Sequence, residues 1–204
     1  MWPLGDYNRL VHEIKRRENP DIPITFGLLI ADYDQQHCRE YILNYIERFN
    51  YRSDKYINFY LPGYLEESFF GDSKALVIGD KLYYFNRQIY LDFLVNLETD
   101  FFIEYPYTPI LVLMEYNSGN FQFSKRIIIQ LDDSGSQIKQ TGEFFEKIFS
   151  IAREEVAIGD FSKRLTRSKL NSGLFDTIVG CIDNKFITAI YNNNKDIKKY
   201  RLTY

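Results

Sequence analysis

Leu28-Leu29-Ile30-Ala31-Asp32-Tyr33-Asp34-Gln35-Gln36-His37-Cys38 carries an apolar strand directly into a helix. Upstream, Pro20 and Pro23 bound the apolar run Ile24 to Ala31, whose length and composition suit a strand buried on both faces. Downstream, Cys38, Tyr41, Ile42, Tyr45, Ile46 and Phe49 recur at steps of three and four, so one side of a helix is continuously apolar. Arg39, Glu40, Glu47 and Arg48 fall elsewhere around the same helix. Asp34 is positioned to cap its N-terminus. Strand-to-helix junctions of this kind place side chains at a helix N-terminus, and here the residues so placed are Gln35, Gln36, His37 and Cys38.

The flanking sequence extends the pattern. Asp6 is a capping residue for an opening helix with Tyr7, Leu10, Val11 and Ile14 on one side. Tyr56 to Leu61 is a second strand, closed by Pro62-Gly63, and Ala75 to Phe85 is a hairpin turning at Gly79-Asp80-Lys81. Asn86 caps a helix bearing Ile89, Tyr90, Phe93, Leu94 and Leu97. After Pro106 and Pro109, the runs Ile110 to Tyr116 and Phe123 to Leu131 are separated only by Asn117-Ser118-Gly119-Asn120. That connection is too short for a crossover helix, so the two strands are antiparallel neighbours. A long helix is expected over Gln137 to Val156, then a short basic helix around Ser162 to Leu170 and a hairpin from Thr177 to Tyr191.

Size and composition bound the possibilities. With 204 residues, 45% of them hydrophobic, the chain can bury one sizeable core. Cys38 and Cys181 match no zinc or disulfide framework and suit a reducing compartment. No run approaches the roughly 20 apolar residues of a membrane helix, and the opening Met1-Trp2-Pro3-Leu4 lacks the pattern of a signal peptide, so a cytoplasmic, soluble protein is expected. The abundance of Tyr, Phe, Ile, Asn and Lys suits an AT-rich, bacterial genome. Residues 160–204 hold nine Lys or Arg against four Asp, which leaves −8 on the first 159 residues of a chain whose net charge is −3. The basic tail therefore has an acidic body to meet.

In order, the elements read helix, strand, helix, strand, inserted hairpin, helix, strand, strand, helix. Without the hairpin this order resembles the thioredoxin-like fold, and Thr108-Pro109 ahead of Ile110-Leu111-Val112-Leu113 is similar to the proline that the family keeps before its third core strand, facing the redox loop. The resemblance covers about Asp6 to Val156. It implies an α/β domain with a mixed central sheet flanked by helices, here residues 1–156, followed by a basic helix-hairpin extension over residues 157–204. The family's redox motif is two cysteines separated by two residues at the helix N-terminus, where the dipole lowers the thiol pKa. The matching stretch is Gln35-Gln36-His37-Cys38. Gln35 stands where the attacking cysteine would be, so dithiol exchange is lost, and a cleft of Gln35, Gln36, His37, Thr108 and Pro109 is left as a recognition surface. No cofactor is expected.

Two further chemistries are written in the sequence. Asp32 and Asp34 follow one strand and Asp132 and Asp133 another, so four carboxylates offer hard oxygen ligands for Mg²⁺ in a phosphoesterase or nuclease. Asp32-Tyr33-Asp34 resembles the Asp-x-Asp of haloacid-dehalogenase-like phosphatases, although that family's following glycine and threonine are missing. Glu115 is a further carboxylate, without the lysine two residues later that a restriction-endonuclease-like site carries. The simpler assignment makes Asp34 and one of Asp132 or Asp133 helix caps and leaves Asp32 solvated. Lys163, Arg164, Arg167 and Lys169 form a basic segment that could neutralise nucleic-acid phosphates. Tyr60, Tyr64, Phe69 and Phe70 mark an apolar connection that becomes a protein-binding patch if it stays exposed, or a second core layer if the hairpin folds over it. The leading expectation is a non-redox binding or adaptor module whose partner is another protein.

Overall fold

The computed structural model describes residues 1–17, 23–53, 57–66, 75–101, 103, 105, 108–130, 145–146 and 148–154. The described elements are β1 (Trp2–Leu4), α1 (Tyr7–Arg16), β2 (Ile24–Ile30), α2 (Gln36–Arg52), β3 (Asn58–Pro62), β4 (Tyr64–Leu65), β5 (Ala75–Ile78), β6 (Lys81–Phe85), α3 (Arg87–Phe101), β7 (Ile110–Asn117) and β8 (Asn120–Gln130). Residues 145–146 and 148–152 add a last helical stretch. The expected 157–204 extension, with its basic helix and hairpin, lies outside the described residues.

Five strands form the central sheet in the order β1-β3-β2-β7-β8. β2 lies at its centre, parallel to β3 on one side and antiparallel to β7 on the other. Every residue of β2 after Ile24 is buried, as its uninterrupted apolar run requires. β7 and β8 are antiparallel through a two-residue turn, with Ser118 at φ 51° and Gly119 at φ 80°, the left-handed pair that matches the twist of tight hairpins. The fold is thus a mixed α/β domain with helices against the sheet.

Each face of the sheet has its own aromatic layer. On one, Phe49 of α2 packs edge-to-face on Phe59 of β3 at 4.7 Å, Phe149 of the last helical stretch closes over both, and Phe145 packs on Phe49. All six apolar positions anticipated on α2 are buried. On the other face, Tyr7 of α1 meets Phe93 and Phe101 of α3, and Phe101 meets Phe121 of β8. Arg126 reaches through this layer from β8 and donates to the Phe101 carbonyl at the end of α3, satisfying an otherwise orphaned helix acceptor.

Local chemistry explains the boundaries. Asp6 accepts the Arg9 N–H at 2.7 Å and starts α1, and Asn86 accepts the Ile89 N–H at 3.1 Å and starts α3. Two strands escaped the sequence reading. β1 is three residues long with Pro3 at its middle, a composition tolerated only on a sheet edge, where β1 indeed lies. β4 follows Gly63, whose φ of +87° turns the chain out of the central sheet and into a second one of order β4-β6-β5. That small sheet is the anticipated hairpin with β4 added.

The hairpin settles the fate of the apolar connection. Tyr64 pairs with Phe85 of β6, and its ring lies 5.3 Å from the Phe85 ring. Tyr60 and Tyr64 are each only 1% exposed, so neither belongs to a surface patch, and the protein-binding assignment of these two residues is corrected to core. Burying two large aromatic rings removes much apolar area from water, Tyr60 against Phe26 and Tyr64 against Tyr33 and Phe85. Phe69 and Phe70 lie outside the described residues.

Gly27 shows how tightly the α2 face is packed. A Cβ there would stand 2.5 Å from Cδ1 of Phe59 and 3.2 Å from Cδ2 of Leu113, and Phe59 is itself held by Phe49 and Phe149. Gly27→Ala is expected to lower stability by about 1–3 kcal/mol in urea unfolding, and Gly27→Ala with Phe59→Leu to cost less than the two separate losses added together.

Candidate functional site

The junction after β2 is a compact turn. The Gln35 N–H donates to the Asp32 carbonyl at 3.0 Å, and the Asp34 N–H donates to Asp32 Oδ1 at 3.0 Å. An aspartate opening a turn and bonding the backbone two residues on is the Asx arrangement. Gln35 is then the first capping position of α2, extended at φ −84° and ψ 128°, with no side-chain cap bond of its own, and its carbonyl accepts the first helical N–H from Arg39. Two expectations are corrected here. Asp34 does not hold the capping position of α2, because the helix begins one residue later, after the extended residue Gln35. Asp32 is not solvated: it is 4% exposed, held under the turn it stabilises.

Thr108 and Pro109 run alongside this turn. Ile110 pairs with Ile30 in the antiparallel register, so the two residues before β7 accompany the two residues after β2. Pro109 is buried, while Gln35, His37 and Thr108 are partly exposed. Gln36 is exposed and bonds Glu40 along its own helix at 3.1 Å. The register brings Thr108 and Pro109 to the end of β2 from which the chain enters α2, and of the five residues expected at the cleft Gln35, His37 and Thr108 are partly exposed. His12 is exposed on α1.

Cys38 is sealed. It is 0% exposed, and its thiol stands 3.8 Å from the Tyr105 hydroxyl. Burial pushes the thiol up to about 11, against a smaller opposing pull from the Tyr105 hydroxyl and the backbone at Asp32. A thiol in that state is protonated at neutral pH. Burial likewise raises the phenols of Tyr64, Tyr90 and Tyr105 above their ordinary range.

The carboxylates divide by strand direction. Arg87 opens α3 with its Nε 3.7 Å from Oδ2 of both Asp32 and Asp34, so a guanidinium stands between the pair that was considered for a metal. Arg87 is largely exposed and the contacts are long, which makes this a weak tether. Among the described residues no group of three or more His, Cys, Asp or Glu gathers in metal-binding geometry. β8 ends at Gln130 opposite Ile110, two strands and about 10 Å from the end of β2. Asp132 and Asp133 follow it and lie outside the described residues, as do Lys163, Arg164, Arg167 and Lys169. Glu115 is excluded by direction: it pairs with Thr25, five residue steps or about 17 Å down the sheet from Ile30. No helix among the described residues is long and apolar enough to cross a membrane.

Arg87, Tyr90 and Tyr105 were not anticipated at the junction. They reach it from α3 and from the approach to β7, and no spacing in the sequence connects them to residues 32–38. Only Arg87, immediately after a capping asparagine, carried a hint of placement, and that hint concerned its own helix.

The state of Cys38 has a direct test. With the folded thiol near 11, the unfolded chain loses this proton first as pH rises past its ordinary range, whereas the folded chain retains it. The stabilising contribution is complete below about pH 8.5 and is lost as pH rises through about 11. Urea unfolding between these pH values should therefore show falling stability, less steeply in Cys38→Ala. Peptide-resolved iodoacetamide labelling at pH 8 should modify Cys38 only after unfolding.

The chain matches no protein-family model, no curated protein and no solved structure.

Proposed function

We propose that this chain is a non-redox binding or adaptor module on a thioredoxin-like scaffold, acting through contacts with another protein in a reducing, cytoplasmic setting. The observation that carries this reading is the pairing of Gln35, at the first capping position of α2, with a Cys38 three residues on that is fully buried. The strand order β1-β3-β2-β7-β8 supports it, since β2 and β3 are parallel and β7 and β8 return antiparallel, as the proposed scaffold requires. So does Thr108-Pro109 beside the junction. At the place where the resembled family attacks disulfides, this chain offers amides and an imidazole, groups that donate and accept hydrogen bonds without forming covalent intermediates.

Surface composition agrees with a binding role. Val95, 63% exposed, and Leu91, 37% exposed, lie on consecutive turns of α3. Leu43 and Tyr51 are exposed on α2. Isolated exposed apolar residues are ordinary, but two on consecutive helical turns offer a ridge that a partner's groove can take.

The scaffold can be tested by restoring what it lacks. In a Cys181→Ser background, Gln35→Cys should form an intramolecular disulfide with Cys38 on mild oxidation and should reduce insulin disulfides with dithiothreitol, whereas the parent chain does neither. Failure of that disulfide to form in a folded variant overturns the thioredoxin-like scaffold. Insulin reduction by the parent chain overturns the non-redox role. For the adaptor role, Leu91→Glu with Val95→Glu should abolish capture of a specific protein partner without moving the melting temperature.

A further inference from the structure

The outward side of α3 reverses the charge order that a helix favours. Tyr90, Phe93, Leu97 and Phe101 are its buried residues, whereas Gln88, Leu91, Val95 and Glu98 fall at steps of three and four on its exposed side. Exposed carboxylates flank the apolar pair: Asp92 follows Leu91, Glu98 lies three residues beyond Val95, and Asp100 closes the row. After Arg87 the helix carries no cation, so its last turn holds Glu98 and Asp100 without a basic residue, at the end where the helix dipole favours positive charge. No ion pair of the described residues involves Asp92, Glu98 or Asp100. Asp92 is met by the Gln88 amide and Asp100 by the Tyr7 hydroxyl, both uncharged. Arg126 donates to the Phe101 carbonyl from the core side and is 3% exposed.

The complementary surface is written in the same chain. Lys195-Asp196-Ile197-Lys198-Lys199-Tyr200-Arg201-Leu202-Thr203-Tyr204 sets four cations against one carboxylate, with Ile197, Tyr200, Leu202 and Tyr204 among them. Apolar groups for Leu91 and Val95, and cations for the three carboxylates, thus share one short segment. Tethering favours it over a free partner, since a linked segment meets its site at an effective concentration on the order of millimolar.

Reach separates this segment from the other basic one, Lys163 to Lys169. The stretch ending at Glu154 packs with α2 on one face of the sheet, and α3 lies on the other. A body of this size has a radius of gyration of about 15 Å, so the path half-way round it is about 60 Å. Lys169, 15 residues beyond Glu154, reaches at most about 50 Å, whereas Lys195, 41 residues beyond, reaches at most about 140 Å.

We propose that residues 195–204 dock along the outward side of α3, their cations on Asp92, Glu98 and Asp100 and their apolar side chains on Leu91 and Val95. A protein partner taking the same ridge would displace them, but the docking does not rest on the adaptor reading.

Carbodiimide coupling of the full chain at low ionic strength, with peptide mapping of the monomer, tests this without a substitution. Amide links should join Lys195, Lys198 or Lys199 to Asp92, Glu98 or Asp100 at a yield independent of protein concentration. The yield should drop several-fold in 1 M salt, where the screening length falls to about 3 Å. Leu91→Ser with Val95→Ser, both at exposed positions, should weaken the same links several-fold, and unchanged links in that variant overturn the ridge as the docking surface. The proposal is also overturned if these lysines link equally to Glu47 and Asp80, if Lys163 or Lys169 links to α3 in their place, if links occur only in a dimer, or if none form. No partner protein is present, so these links and the capture of a partner can fail separately.

Discussion

The antiparallel seating of β7 on β2 is the constraint on which the rest of this molecule depends. Seven residue pairs, from Ile24 with Tyr116 to Ile30 with Ile110, lock the central strand to its neighbour, and all are buried or nearly so. A slip of one residue would send Phe26, Leu28 and Ile30 to the opposite face and break both aromatic layers at once. Fixed in this register, the chain brings Thr108-Pro109 to the end of β2 where α2 begins. The same register carries Glu115 to the far end. Which polar residues meet at the junction is decided here, before any of them makes a bond.

The junction itself is closed by its own hydrogen bonds. Asp32 uses its side chain to hold the Asp34 N–H and its carbonyl to hold the Gln35 N–H, so the turn that launches α2 closes on itself. Its sulfur is spent on packing: Cys38 begins the apolar stripe of α2, and the low polarity that makes it a good core residue also keeps its proton on. A helix N-terminus ordinarily favours a thiolate. Here burial outweighs the hydrogen bonds from Tyr105 and the Asp32 backbone that favour the thiolate. That balance keeps the proton on the buried thiol.

The inserted sheet has a defined job in the core. Gly63 swings the chain out of β3, and the N–H of Asn86 returns to the Gly63 carbonyl at 2.8 Å, so the excursion from β4 to β6 closes where it opened. Tyr64, Phe85 and Tyr90 fill the space so enclosed, and Arg87, the next turn of chain, reaches back toward Asp32 and Asp34. An insertion with both ends tied together in this way leaves the central sheet undisturbed and adds a lateral wall to it.

Much of this was legible from local pattern. Periodicity determined α2 and its six buried residues, capping chemistry determined the starts of α1 and α3, and a short polar connection determined that β7 and β8 are antiparallel. These features depend on neighbours within a few residues, which a sequence displays directly. Tertiary structure alone decided that Asp32 is buried, that Asp34 yields the cap to Gln35, that Tyr60 and Tyr64 are core, and that Arg87, Tyr90 and Tyr105 meet at the junction. Each is a competition between burial and solvation settled by residues tens of positions away, and neither spacing nor composition records which surfaces the folded chain presses together.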